Sequence, residues 1–499
     1  MELHFSKSVC QCLRKAACQV ISQEQTQELR LPDTLPDIGR VLGSWGQIVI
    51  RSKEWRASGM NISGGVMVWV LYAPEDGSQP QTLDCWIPIQ LKWDFPQTQR
   101  DGTICILPLL KSVDARSVSA RKLMVRAAVS VLGEALEPTE EEIYSAPQVP
   151  EDIQLLNMTY PMDLPQEAGE KLFQVEEELI FPPSVPAVGR VLRYELMPGI
   201  TEQKVLAGRL VFRGDAVLRM LYMTDTGEVC SWSWELPFSQ YTELDRDYGV
   251  NAAAWIIPIV TALELDRGEE GKWLLKAGIA AQYVISDRVM LELTQDAYSP
   301  NRQLDAKLQT LQLPMRLDTC QEQLQIRQDW EMQGQKILDT VWYHDHPRQT
   351  QEGDMLALEI PGQFQVLYMD EEGQLQGGTV RTEDRVTLRN DPDNRVDAYT
   401  HCVGGATGSF ASGNGMLSAD AEVNCTVTGV QGLTMMTQLE AGEMMQPDPK
   451  RPSLILRRAG GDDLWNIAKS CGSTVDAIRK VNALEEDPAP SRMLLIPIS

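Results

Sequence analysis

Apolar and polar residues alternate along most of this chain. Leu83, Cys85, Ile87, Ile89, Leu91 and Trp93 occupy every second position, and so do Leu123, Val125, Ala127, Val129 and Val131. Successive side chains of a strand point to opposite faces, so each set lines one face of a strand. The run from Val66 to Tyr72 is apolar on both faces and predicts a central strand. Helical spacing is confined to a short helix predicted near 1–17 and to the C-terminal tail, where Leu464, Ile467 and Ala468 fall at i, i+3 and i+4. The pattern predicts a mainly β protein of antiparallel sheets, each unit a sandwich or a partly open barrel.

The pattern also repeats. Pro36-Asp-Ile-Gly39-Arg40-Val41-Leu42 recurs 150 residues later as Pro186-Ala-Val-Gly189-Arg190-Val191-Leu192. Leu71-Tyr72 returns at Leu221-Tyr222, and the segment from Lys122 to Ala127 returns at Lys272 to Ala277, in the same register. A divergent third copy carries Lys336-Ile337-Leu338 and Leu367-Tyr368. Each Leu-Tyr is followed by an acidic turn with glycine, at Gly77, Gly227 and Gly373. Glycine there suits a hairpin that needs positive φ. Repeats of this kind predict tandem β units at 1–150 (with an N-terminal extension), 151–305 and 306–446. A proline-rich tether at 447–453 and a small module at 454–499 follow. Glu134–Glu170 and the Gln-rich Arg302–Asp329 read as crossovers or linkers with some extended structure.

Composition narrows the function classes. The chain has 499 residues and a net charge of −25, with 45 Lys+Arg against 70 Asp+Glu. Nucleic acid is excluded as a partner, because phosphate contact needs concentrated basic residues. From Arg451 onward seven basic residues meet six acidic ones, so nearly all the negative charge sits on the β body. An acidic body and a near-neutral tail suggest two separate jobs. The N-terminal sequence reads as lacking a secretory signal, and the apolar runs 66–73 and 252–265 are too short to span a bilayer. No transmembrane segment is expected. Ten scattered cysteines suggest no disulfide framework. Cys10, Cys12 and Cys18 cluster, but they read better as reduced, partly buried thiols than as a zinc site.

The tail carries the clearest motif. A strand ending at Arg458, the turn Gly461-Asp462-Asp463-Leu464-Trp465, two short helices, Asn482-Ala483-Leu484 and a last strand closing on Ile496-Pro497 resemble a LysM module, a βααβ unit that binds rather than catalyses. The body's Leu31-to-Ile38 segment, its Leu-Tyr hairpins and Asp296-Ala297-Tyr298-Ser299 resemble the SPOCS domain of spore-coat proteins. SPOCS repeats followed by one LysM resemble the clostridial spore coat morphogenetic family. That resemblance implies a place in the mother-cell cytoplasm at the forespore surface. It implies partners in the coat-basement ATPase, stage IV sporulation protein A, and in other coat proteins. No cofactor and no bound metal are expected.

The resemblance also implies a binding face formed by Gly461, Asp462, Asp463, Leu464, Trp465, Asn482, Leu484, Arg492 and Met493. A glycan-binding LysM grips N-acetylglucosamine between its Gly-Asp-Thr turn and the loop before the last strand. Here Asp463 stands at the Thr position, Ser491-Arg492 replaces Gly-Gln, and Arg458 replaces an apolar residue. These departures favour a protein ligand. Peptidoglycan remains the alternative, which would make the chain a wall- or cortex-anchoring protein. Asp462 or Asp463 also fits a helix cap, and Asn482 a structural turn. Leu464, Ile467, Ala468, Val475, Ile478, Val481, Leu494 and Ile496 read as the module's core. Trp465 is either packed or exposed, and exposure would favour an interface.

Signs of an enzyme are thin. His344-Asp345-His346 offers two metal ligands but sits beside Pro347 without further suitable ligands nearby. Gly404-to-Gly413 imitates a phosphate loop but lacks the following Lys-Ser/Thr. The expectation is a non-enzymatic scaffold.

Overall fold

The computed structural model describes residues 2–56, 58–95, 101–268, 272–411, 414–445, 451–486 and 489–498. It is mainly β and its sheets are antiparallel. One arrangement of strands occurs three times. In the first, β2 (Ser6–Arg30) is followed by a meander of β3 (Ile38–Arg56), β4 (Gly59–Pro74) and β5 (Gln81–Asp94), and by a hairpin of β6 (Thr103–Ser119) and β7 (Lys122–Ser145). The meander is one sheet, and β7 lies between β2 and β6 in the other. The alternation seen in the sequence is the reason both sheets form. Val66, Val68 and Ile87 of the meander and Leu123, Val125 and Val129 of β7 bury their apolar faces in one shared core.

The second copy runs β8 (Gln154–Leu179), β9 (Arg190–Leu206), β10 (Arg209–Met223), β11 (Val229–Glu243), β12 (Ala253–Arg267) and β13 (Trp273–Tyr298) with the same pairing. The third uses β14 (Arg302–Trp330), β17 (Met355–Met369), β18 (Leu375–Arg389) and β21 (Asn414–Met444). Two of its strands are broken: β15 (Lys336–His344) and β16 (Arg348–Glu352) share one place beside β17, and β19 (Arg395–Cys402) and β20 (Thr407–Ala411) share one beside β21. The breaks fall on the His-Asp-His-Pro and Gly-rich segments. Proline removes a ladder donor and glycine weakens a strand, so both interrupt pairing there.

Three expectations fail. Among the described residues no helix forms near 1–17. Instead β1 (Glu2–His4) pairs with β21 and β2 pairs with β7, because Cys10 and Cys12 are apolar-facing at period two. Arg302–Asp329 is strand β14, paired with β21 over most of its length. Its glutamines hid the alternation that puts Ile326 in the core and Leu324 against it. Within Glu134–Glu170 only 146–153 connects two strands.

The turn glycines behave as the pattern requires, with φ of 75°, 87° and 75° at Gly77, Gly227 and Gly373. The other two sequence islands prove to be the ends of one contact. The Tyr72 hydroxyl donates to the carbonyl of Pro36 at 3.0 Å, and Tyr222 donates to Pro186 at the same distance. The three long strands β2, β8 and β14 meet in a common core of Cys10, Cys12, Met162, Leu164, Leu311 and Leu313 with residues of their partner strands. The burial of these thiols follows their place in the strands. Burial pushes the Cys12 thiol up to about 12, which suits packing rather than metal binding. Among the described residues no helix is long and apolar enough to cross a membrane. The chain ends in β22 (Leu454–Arg458), α1 (Leu464–Cys471), α2 (Val475–Asn482) and β23 (Met493–Pro497). The expected tether at 447–453 lies partly outside the described residues.

Candidate binding site

The C-terminal module is a two-stranded antiparallel sheet, with Leu456 opposite Leu495, covered by two short helices. Leu464, Ile467, Ala468, Ile478, Leu494 and Ile496 form its core. Val481, expected there, is 47% exposed, because only Ile478 of α2 turns fully inward. Such short helices depend on their caps. Asp463 caps α1 by accepting the Asn466 amide at 2.7 Å, and Thr474 caps α2 by accepting that of Ala477 at 3.2 Å.

The nine residues of the expected face part into groups. Gly461, Asp462 and Asp463 are exposed on one turn. Gly460 of that turn donates to Pro490 at 2.9 Å and Ala459 donates to Arg492, so the turn and the loop before β23 do lie together. Asp462 is spent on Arg457 at 2.5 Å. Asn482 is structural: its amide group donates to Leu495 O at 2.6 Å and accepts from Leu495 N at 2.8 Å, clamping α2 to β23. Arg492 donates to Asn482 O at 3.0 Å and is otherwise exposed. Leu464 is buried in the core and Leu484 is half-buried against it. Met493 is 50% exposed.

Trp465 is half-buried and faces the body. Its Nε1 donates to Asp296 Oδ2 at 2.8 Å, and Lys469 Nζ reaches both oxygens of the same carboxylate at 2.7 and 2.8 Å. Tyr298 meets the Trp465 ring edge-on, with centroids 4.7 Å apart, and is buried within the module's own core cluster. Burial works to raise the Asp296 carboxyl, but the Lys469 and Trp465 donors outweigh it and hold it below its ordinary value. The body residues Asp296 and Tyr298 stood in the Asp-Ala-Tyr-Ser motif, yet only spatial proximity ties them to this site.

A second feature lay in the alternation of β22 and β23. Inward Ile455, Leu494 and Ile496 leave Leu454, Leu456, Met493 and Leu495 outward, at 49%, 63%, 50% and 39% exposure, beside Arg458. These four side chains are neighbours across the two strands and form one apolar patch, and the largest such patch on a soluble protein is often functional.

The other candidate centres resolve into packing. His344 is buried and stacked on Trp342 at 4.5 Å, and the Nε2 of buried His346 accepts the Leu132 amide at 3.1 Å across the boundary between the first and third repeats. Asp345 is paired with Lys111 at 2.6 Å. Burial pushes both histidines down to about 4. A neutral ring whose nitrogen already accepts a buried amide is filling an interface rather than presenting a ligand. Cys18, Glu134 and Asp397 lie within ligand distance of one another, but Lys15 Nζ stands 2.6 Å from Glu134 and 2.8 Å from Asp397 and supplies the cation. No protein-family model, curated protein or solved structure matches the chain.

Proposed function

We propose that this chain is a non-enzymatic adapter of the spore envelope, made of three SPOCS-type β repeats and one LysM-type module. In this reading it works in the mother-cell cytoplasm at the forespore surface. The module binds stage IV sporulation protein A, the coat-basement ATPase, and the body holds other coat proteins. Several modest contacts on one chain raise effective concentration, which suits encasing a large surface.

The observation that carries the reading is the outward sheet face of the module. Leucine and methionine beside arginine is the composition of a protein interface core and its rim. Peptidoglycan is the second reading, favoured by the exposed turn at Gly461–Asp463 lying against the loop that ends at Arg492. Its carboxylates are partly engaged already, Asp462 by Arg457 and Asp463 by the α1 cap.

Titration of the full chain against the purified ATPase, chitin oligomers and peptidoglycan separates the two. Saturable ATPase binding that is lost in Leu456→Glu and kept in Asp463→Asn is the expected result. Saturable glycan binding that is lost in Asp463→Asn, with no ATPase binding, overturns it. Asparagine keeps the helix cap, so that variant tests the turn and not the fold.

A further inference from the structure

We infer that the α1 face carrying Trp465 and Lys469 is a receptor for an extended Asp-x-aromatic peptide segment, and that the chain's own Asp296–Tyr298 occupies it as an internal stand-in. The contact has the form of motif recognition. One carboxylate collects an indole N–H and an ammonium, and one ring two residues on enters an apolar core. Residues two apart share a face of a strand, so an extended segment presents both groups together.

The presenting strand changes register just before the motif. The register of β13 against β8 slips between Thr294 and Asp296. A bulge rotates the side chains that follow it, and here it aims Asp296 and Tyr298 at the module. The stand-in fits imperfectly. Tyr298 is 6% exposed, yet its hydroxyl has no hydrogen-bond partner among the described residues. A buried, unpaired hydroxyl is unfavourable. Phenylalanine at that position keeps the ring contact with Trp465 and removes the penalty. The structure therefore assigns the site a better ligand than the one it holds: an Asp-x-Phe segment of a partner protein, which displaces the chain's own strand end. This specificity rests on reading the module as a protein-binding unit.

The test uses the full chain and a labelled octapeptide covering residues 293–300 with phenylalanine in place of Tyr298. Wild type, holding its own competitor, binds weakly. Asp296→Ala, with the stand-in released, binds the peptide at least about tenfold tighter, and adding Lys469→Glu removes that binding. Equal affinity for wild type and Asp296→Ala, or binding that survives Lys469→Glu, overturns the proposal. Hydrogen exchange along 464–471 is the second measurement. Tyr298→Phe slows exchange of α1 and Asp296→Ala speeds it; no change in either overturns the internal occupancy whatever the peptide does. Failure is separable from failure of the adapter reading. If the peptide binds and the ATPase does not, the named partner falls and the motif receptor stands; if the ATPase binds and the peptide does not, the motif receptor falls.

Discussion

At the scale of single residues, the most consequential side chain in the body is Arg193. It is 2% exposed, yet burial, which opposes its charge, is outweighed by Asp339 and Glu195, so it stays protonated. Its guanidinium takes both oxygens of Asp339 at 2.8 and 2.9 Å, tying β9 of the second repeat to β15 of the third. Arg219 and Glu195 complete the network. Removing one member strands a buried charge, and the cost of that exceeds what the pair itself contributes. Arg193→Met is expected to destabilise the chain by about 3–5 kcal/mol, whereas Arg193→Met with Asp339→Leu recovers most of the loss. Urea unfolding of the two variants checks this, and a double variant no better than the single one contradicts it. The repeated tyrosines make a smaller case. Tyr72→Phe deletes one hydrogen bond to Pro36 and costs about 1 kcal/mol, with Tyr222→Phe alike. Unfolding midpoints that do not move in either variant would show that these hydroxyls carry no stability.

At the scale of elements, the short β1 matters more than its length suggests. Leu3 and Phe5 are buried with Leu439, Met436 and Ile153, so the first residues of the chain close on the sheet of the third repeat. Deleting Glu2–Phe5 exposes that seam, and burial of two such side chains is worth roughly 3–5 kcal/mol as an upper bound. A lower unfolding midpoint, with faster hydrogen exchange on β21, is the expected outcome. The sequence could not announce this pairing, because three residues hold no periodicity and their partner stands more than four hundred positions away. Strands such as β5 were legible, since one face is apolar without interruption from Leu83 to Trp93. Strand β14 was less so, since glutamines interrupt its outward face and split the apolar signal into two short pairs, Leu311 with Leu313 and Leu324 with Ile326. The candidate site divides the same way. Trp465 could be named from its motif, but its use could not. A tryptophan in a short amphipathic helix reads alike whether it meets solvent or a neighbouring strand, and the Asp296 that holds it is 169 residues away.

At the scale of the whole molecule, the three repeats contact one another around a closed ring, and one repeated position shows it. Arg190 of the second repeat donates to Pro80 O at the start of β5 in the first. Arg40 of the first donates to Leu375 O at the start of β18 in the third, at 2.8 Å. At the equivalent position of the third, the Lys336 charge acts on the Cys230 thiol near the start of β11 in the second, countering the rise that burial and Glu228 give it. Such a ring has no free end, and its weak point is a boundary whose chemistry changes with pH. That boundary joins the first and third repeats, where His344 and His346 are buried together. Burial is the main cause that pushes both down to about 4, and the facing groups are Asp345, Lys111 and His401. A histidine with a lowered folded value contributes its full stability above its ordinary value of about 6.5, and that contribution is lost as pH falls toward 4. The loss is on the order of 3 kcal/mol for each histidine by pH 4. Net charge predicts the reverse, because a chain of −25 and pI about 4.6 sheds self-repulsion as it is acidified. The lowered carboxylates, Asp296 and Asp345 among them, respond near and below 4, so between 6.5 and 4 the histidines, His401 with them, are opposed by the raised carboxyl of Asp384. Unfolding free energy measured between pH 7 and pH 4 should fall in the wild type and flatten in His344→Phe with His346→Gln. A wild-type curve that rises with acid would mean that relief of charge repulsion outweighs the buried histidines, and that the ring has no acid-sensitive seam.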